Sequence, residues 1–111
     1  MKNMLEENTR KIKQVVLEIA NKYGIKVDRI ILFGSRARGE AGRESDWDVL
    51  ITTEEKISRD TFWAFYIEAV RRLREDNIKV DLIVIDRETF ERKKDVVNTI
   101  ANEASVEGVV L

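Results

Sequence analysis

Cysteine, histidine and proline are all absent from the 111 residues. Without thiols or imidazoles the chain can form no disulfide and build no Cys/His zinc site. It can also run neither a cysteine nucleophile nor a Ser-His-Asp triad. Its chemistry must rest on carboxylates, Lys, Arg, Ser, Thr or Tyr, with a metal ion as the natural helper. No apolar run reaches membrane-spanning length, and the N-terminus is mixed-charge and amphipathic rather than signal-like. The expected location is therefore the cytoplasm, with no membrane partner. Neither sign of charge prevails: 20 Lys and Arg face 21 Asp and Glu, so no broad basic field points to nucleic acid as a partner. No repeat, low-complexity tract or proline-rich linker divides the chain. With 43% apolar and 37% charged residues, the composition is that of a soluble globular protein, and one domain over residues 1–111 is expected. The abundance of Glu, Lys and Arg without Cys would also suit a thermophile.

Periodicity sets out the elements. From Leu5 to Tyr23, the apolar positions Leu5, Ile12, Val15, Val16, Ile19, Ala20 and Tyr23 fall on one helix face, and Gly24 stands where a C-terminal cap is expected. Val27–Phe33 reads as a first strand. Its continuous apolar run Ile30-Ile31-Leu32-Phe33 implies burial on both faces and a central position. Ser35 to Arg38 can begin a short helix, and Asp46–Thr52 reads as a second strand. Ser58 opens a long helix to about Asp76, with Phe62, Tyr66, Ala69 and Leu73 on one line, Phe65 and Val70 flanking it, and Trp63 and Ile67 to the side. That face is wider than one helix needs against one sheet; it is either an extended edge of the core or a partner surface. Ile78–Ile85 is a third strand, and Asp86 is a good N-cap for the following helix. A last helical region over about Arg87–Ser105, breaking near Lys94, has Val96, Ile100 and Ala104 in register. Gly108 stops it, and Val109-Val110-Leu111 can form a terminal strand. This order predicts a small α/β (α+β) domain, with helices packed against a short sheet.

The chemistry concentrates between Phe33 and Val49. A Gly34-Ser35 turn leaves the first strand, an arginine-bearing arm follows, and Asp46 and Asp48 open the second strand. In an extended strand residues i and i+2 share a face, so these two carboxylates are expected side by side, with Trp47 turned to the core. Two adjacent carboxylates repel and raise a pKa unless a cation sits between them. An all-oxygen donor set favours Mg²⁺ or Mn²⁺. Gly34 and Ser35 can receive a phosphate through backbone N–H groups and the hydroxyl. Each residue also has a plainer role open to it: Gly34 as a tight turn, Ser35 as an N-cap, Asp46 as a strand-entry residue. Asp81 could sit at a solvated sheet edge or pair with Lys79. Arg36, nearest the turn, is the candidate phosphate clamp, whereas Arg38 and Arg43 could pair with Glu40 and Glu44. Two other phosphate motifs are excluded. Gly34 and Gly39 have P-loop spacing, but Glu40-Ala41 replaces Lys-Ser/Thr, and no G-x-G occurs.

Phe33-Gly34-Ser35, ten spacer residues and then Asp46-Trp47-Asp48-Val49 resemble the signature of the nucleotidyltransferase superfamily related to DNA polymerase β. The Gly34-Ser35-Arg36-Ala37-Arg38-Gly39 run, with Ser45-Asp46-Trp47-Asp48 after it, resembles the minimal nucleotidyltransferases in particular. This resemblance covers nearly the whole chain and implies the nucleotidyltransferase fold, with a short mixed sheet against helices. It also implies a third carboxylate, mapping onto Asp81 in Val80-Asp81-Leu82. On that basis a hydroxyl would attack the α-phosphorus of a nucleoside triphosphate, with ATP expected, and release pyrophosphate. Asp46 and Asp48 would hold two Mg²⁺ ions about 3.5–4 Å apart, and Asp81 would complete the first ion's shell and help to deprotonate the acceptor. Gly34, Ser35 and Arg36 would seat the nucleotide.

Minimal nucleotidyltransferases also resemble antitoxins that act beside an all-helical HEPN ribonuclease by attaching AMP to one of its tyrosines. The expected function is thus a protein adenylyltransferase antitoxin with a HEPN-type partner, alone or in a homo- or hetero-oligomer. The competing functions are a binding antitoxin that neutralises its partner by contact, and nucleotidyl transfer to a small molecule or an RNA end. Intact Gly34-Ser35 and aspartates favour catalysis over contact alone. The lack of room for an acceptor-binding domain argues against the small molecule, as it does, with the balanced charge, against RNA.

Overall fold

The computed structural model describes residues 4–40, 42 and 45–111. Among these the order is α1 (Met4–Lys22), β1 (Val27–Phe33), α2 (Gly34–Arg38), β2 (Trp47–Thr53), α3 (Arg59–Glu75), β3 (Val80–Asp86), α4 (Arg87–Lys93), α5 (Ile100–Glu107) and β4 (Val109–Val110). The strands form one mixed sheet in the order β3-β2-β1-β4. β1 runs antiparallel to β2 and β4, and β2 runs parallel to β3. The apolar run of β1 is thus internal, as its lack of alternation predicts.

Strand alternation divides the core in two. Ile30, Leu32, Trp47, Val49, Ile51 and Leu82 face α1 and α3, meeting Ile12, Val15, Val16, Ile19, Phe65, Ala69 and Leu73. Ile31, Phe33 and Leu50 face the other way, against Phe90 of α4 and Ala101 and Ala104 of α5. Because Leu50 and Asp48 share parity, Asp48 belongs to this second face, beyond the end of its apolar cluster. α5 approaches β1 closely at Gly108, where a Cβ would stand 2.2 Å from the Ala104 carbonyl oxygen and 2.4 Å from Ile31 Cγ2. Only a residue without a side chain fits there.

α1 keeps its predicted face, with Ile12, Val15, Val16, Ile19 and Ala20 all buried; the side chain of Leu5 lies outside the described residues. Ser58 caps α3 by accepting from the Thr61 N–H at 3.1 Å. Asp86 caps α4 by accepting from the Thr89 N–H at 3.0 Å.

Four expectations need correction. The second strand starts at Trp47, so Asp46 precedes it. β3 begins at Val80, leaving Ile78 buried in the approach. The buried line of α3 is Phe65, Ala69 and Leu73. Phe62 and Tyr66 flank that line and form an aromatic group with Trp63 at centroid distances of 5.0–5.6 Å. The last helical region breaks near Lys94 as expected, into two helices separated by residues 94–99, but the expected register does not hold. Val96 and Ile100 are about half exposed and only Ala104 of the predicted trio is buried, because the break resets the helical phase. Trp63 and Ile67 remain exposed, at 47% and 57%. Among the described residues no helix is long and apolar enough to cross a membrane.

Candidate active site

β1 ends in a turn that only glycine can make. Gly34 has φ +75°, and a Cβ on it would lie 2.2 Å from Asp48 Oδ2. The backbone of the turn is therefore laid directly against the Asp48 carboxylate. This follows from register, since Phe33 pairs with Asp48 across the β1–β2 ladder. Ser35 and Arg36 continue into α2, which closes through Gly39 in the left-handed region (φ +73°). The Glu40 N–H donates to the Ser35 carbonyl at 3.0 Å.

The three predicted carboxylates come from three settings. Asp48 is half-buried on β2. Asp81 is exposed on β3 and directly opposite it, because the parallel register pairs Asp48 with Asp81. Asp81 thus shares Asp48's face, and no ion pair joins it to Lys79 among the described residues. Asp46 is exposed at the end of the loop that enters β2. Desolvation first, then the charges of Asp81 and Asp46, push the Asp48 carboxyl above the usual aspartate range, while Arg38 pulls it down. The three aspartates therefore form one electrostatic cluster, and its hard oxygen donors are chemically suited to a divalent cation. Among the described residues, however, no three acidic side chains are gathered closely enough to ligate one ion. The set is coupled but not preassembled.

The two arginines of the arm part company. Arg36 turns back toward the loop. Its Nη2 donates to the Ser45 carbonyl at 2.7 Å, and its guanidinium carbon stands 4.4 Å from the Trp47 ring centroid. It thus ties α2 to the residues just before Asp46. The Gly42 N–H donates to Ser45 Oγ at 3.0 Å, closing the same loop. Arg43 and Glu44, the other anticipated pair, lie outside the described residues. Arg38 pairs with Glu40 through Nε, as foreseen, and donates from Nη1 to Glu107 Oε1 at 2.8 Å.

The last contact involves residues that sequence reasoning missed. Glu103 and Glu107 lie one turn apart on α5, and burial followed by a hydrogen bond with Glu107 pushes Glu103 upward. The charge of Asp48 adds to that shift and Arg38 opposes it. Their only trace in the sequence is an i, i+4 spacing of like charges near the C-terminal end of a helix, where both the repulsion and the helix dipole are unfavourable.

A Gly-Ser turn against paired strand carboxylates defines a class, and comparison with known proteins agrees. A model of the nucleotidyltransferase domain matches residues 9–106. The chain belongs to that nucleotidyltransferase-domain family. It is similar to two proteins of Methanocaldococcus jannaschii, each named "putative protein adenylyltransferase". One is 34% identical over 83 residues, 74% of this chain and 77% of that protein. The other is 50% identical over 44 residues, 40% of this chain and only 44% of that protein's length. The fold is shared with a structure described as a "putative minimal nucleotidyltransferase", at TM-score 0.62 and 22% identity over 96% of this chain and 95% of the other. It is also shared with a chain from a complex of tri-AMPylated Shewanella oneidensis HEPN toxin with MNT antitoxin. There the TM-score is 0.55 and the identity 20%, over 96% of this chain and 71% of the other.

Proposed function

We propose that this protein transfers AMP from ATP to a tyrosine hydroxyl of a HEPN-type helical toxin in the cytoplasm, and so acts as an antitoxin. The observation that carries this reading is the Gly34 turn lying against Asp48, itself in register with Asp81. A triphosphate seated on Gly34 and Ser35 meets the carboxylates where its α-phosphorus must react. The acceptor oxygen bonds to that phosphorus, the bond to the α–β bridging oxygen breaks, and pyrophosphate leaves. Asp81, the most open of the strand carboxylates, takes the hydroxyl proton. Asp46, Asp48 and Asp81 are the residues that would hold Mg²⁺ or Mn²⁺. When bound, such ions supply charge neutralisation at the attacking and leaving oxygens. Arg36 serves the nucleotide by fixing the loop that delivers Asp46 beside Asp48. The exposed Trp63 and Ile67 on α3 offer an aromatic and aliphatic surface for the helical partner.

A second reading, neutralisation by contact alone, draws on the same acidic set, which is not gathered into a ready ligand group. One experiment separates the two. The protein, Mg²⁺ and ATP labelled at either the α or the γ position are mixed with a HEPN-type helical protein as acceptor, and Asp46→Asn/Asp48→Asn serves as control. Transfer of α-label to the partner, lost in the control, is expected. Transfer of γ-label would identify a kinase. A stable complex without transfer, equal for wild type and control, would leave contact neutralisation.

A further inference from the structure

We propose that the outer edge of β3 is where a second copy of this chain docks, joining two sheets into one across a two-fold axis. The inference stands apart from the transferase reading and does not depend on it. β3 closes one side of the sheet, with β2 as its one strand neighbour among the described residues. The Trp47 N–H donates to the Lys79 carbonyl at 2.8 Å, so the backbone groups of Lys79 face β2. Alternation then turns those of Val80, Leu82 and Val84 outward, where no further strand receives them. The two edges of the sheet are unlike: β4 has two residues and β3 has seven. The usual guards against edge pairing are missing from β3. It carries no Pro, Lys or Arg over 80–86, and its register with β2 runs without a bulge. Its charges, Asp81 and Asp86, flank the apolar run Leu82–Ile85. Val80 and Val84 on one sheet face, and Ile83 and Ile85 on the other, are only partly buried.

α3 extends this edge. Lys22, Glu18 and Lys11 of α1 reach Glu68, Arg72 and Asp76, so α1 lies along that side of α3. Helical spacing sets Tyr66, Val70 and Trp63 on the other side, above β3. Tyr66 and Val70 are partly buried and Trp63 is exposed. A second copy suits this edge better than a helical partner. The groups left over are main-chain donors and acceptors at strand spacing, and a helix satisfies its own backbone internally. A two-fold register centred on Ile83 sets Ile83 opposite its counterpart and Leu82 opposite Val84 of the second copy. Leu82 and Val84 of both strands then exchange their outward hydrogen bonds. The Asp81 carboxylates stay apart in this register, each facing Ile85, whereas centring on Asp81 would set like charges opposite one another. Trp63 stands at the rim between this junction and the outward Ile67, so the surface offered to a helical partner is retained.

Sedimentation of the full chain over a concentration series should show a monomer–dimer equilibrium. Val84→Pro removes an N–H that points away from β2, so the β2–β3 ladder is kept. It should weaken the dimer at least about tenfold, through the two symmetric hydrogen bonds it deletes. Because the chain has no cysteine, single cysteines read the register directly. Ile83→Cys sets two thiols in a non-hydrogen-bonded pair with Cα atoms about 4.5 Å apart, within disulfide reach. Mild oxidation should link these copies. Ile85→Cys lies four residues out of register with its counterpart, about 13 Å along the strand, and should stay unlinked. The cysteine pair carries the test if circular dichroism shows that Val84→Pro fails to fold. A chain monomeric throughout the series, a folded Val84→Pro that dimerises like wild type, or equal linking at both cysteines would overturn the inference. So would a monomeric chain whose complex with a HEPN-type protein is lost in Val84→Pro, since the edge would then belong to that partner.

Discussion

Against α1 and α3 the sheet is sealed by a continuous apolar layer in which Ile12, Val16, Val49, Ala69 and Leu73 are fully buried. Against α4 and α5 the layer is thinner, Ile83 and Ile85 are only partly covered, and Asp48 and Asp81 lie just beyond its end. Titratable groups differ in the same sense. At the α1–α3 junction, hydrogen bonds from Lys22 and then Tyr23 hold the Glu68 carboxyl below its ordinary range. On the other face, burial and like charges drive Asp48 and Glu103 above theirs. One face uses ionised groups to hold helices together; the other keeps carboxylates crowded at a cost to stability. Crowded carboxylates persist where function needs them, so this contrast supports reading the first face as the folding face and the second as the candidate site.

The largest effect should come from Asp48→Asn, and its two readouts should move in opposite directions. Transfer of α-label should fall about a thousandfold or more. Stability at neutral pH should rise. A carboxyl whose folded pKa is raised contributes stability that is present below its unfolded value and lost as pH rises through the folded value. At pH 7 ionised Asp48 is therefore a burden, and neutral Asn removes it. Thermal melts should show the gain at pH 7 and its loss near pH 4. A variant less stable than wild type at pH 7 would break the proposed division between the faces.

A core pair sharpens the same division. Leu73→Ala, at a position with no exposure, should cost about 2–5 kcal/mol in urea unfolding. Ile100→Ala on α5, 46% exposed, should stay within about 1 kcal/mol. Equal costs would mean that α5 is packed as tightly as α3.

Local patterns made the sealed face legible in advance. The α1 spacing, the unbroken apolar run of β1 and the caps Ser58 and Asp86 are each written in a few neighbouring residues. The candidate site could be listed residue by residue from the sequence, but its assembly could not be read there. Gly34, Ser35 and the aspartates stand out by spacing, yet the pairing of Asp48 with Asp81 depends on a parallel register between distant strands, which no local pattern encodes. Asp46 was assigned to the strand because alternation cannot tell its first residue from the loop before it. Arg36 and Arg38 look equivalent in sequence and are separated only by partners contributed from the loop and from α5. Glu103 and Glu107 gave no usable signal, because the turn at residues 94–99 between α4 and α5 resets the helical phase on which their facing depends.

The smallest effect tests the sealed face by its electrostatics. Lys22 Nζ lies 2.8 Å from Glu68 Oε1, and the Tyr23 hydroxyl donates to the same oxygen at 2.7 Å, joining the end of α1 to the middle of α3. Because the folded pKa of Glu68 is depressed, its contribution is present above the ordinary glutamate value of 4.5 and lost as pH falls through the folded value. Lys22 is raised, so its share persists through neutral pH and disappears only as the solution becomes strongly alkaline. Glu68→Gln should therefore lower the melting temperature slightly at pH 7 and leave it unchanged in acid, with the deficit shrinking in high salt because the lysine of the pair is open to solvent. That pH dependence is opposite in sign to the one expected of Asp48→Asn. If both variants shifted the melt in the same direction at pH 7, the carboxylates of the two faces would not be under opposite electrostatic load, and the case for crowding at the Asp48 face would rest on register alone.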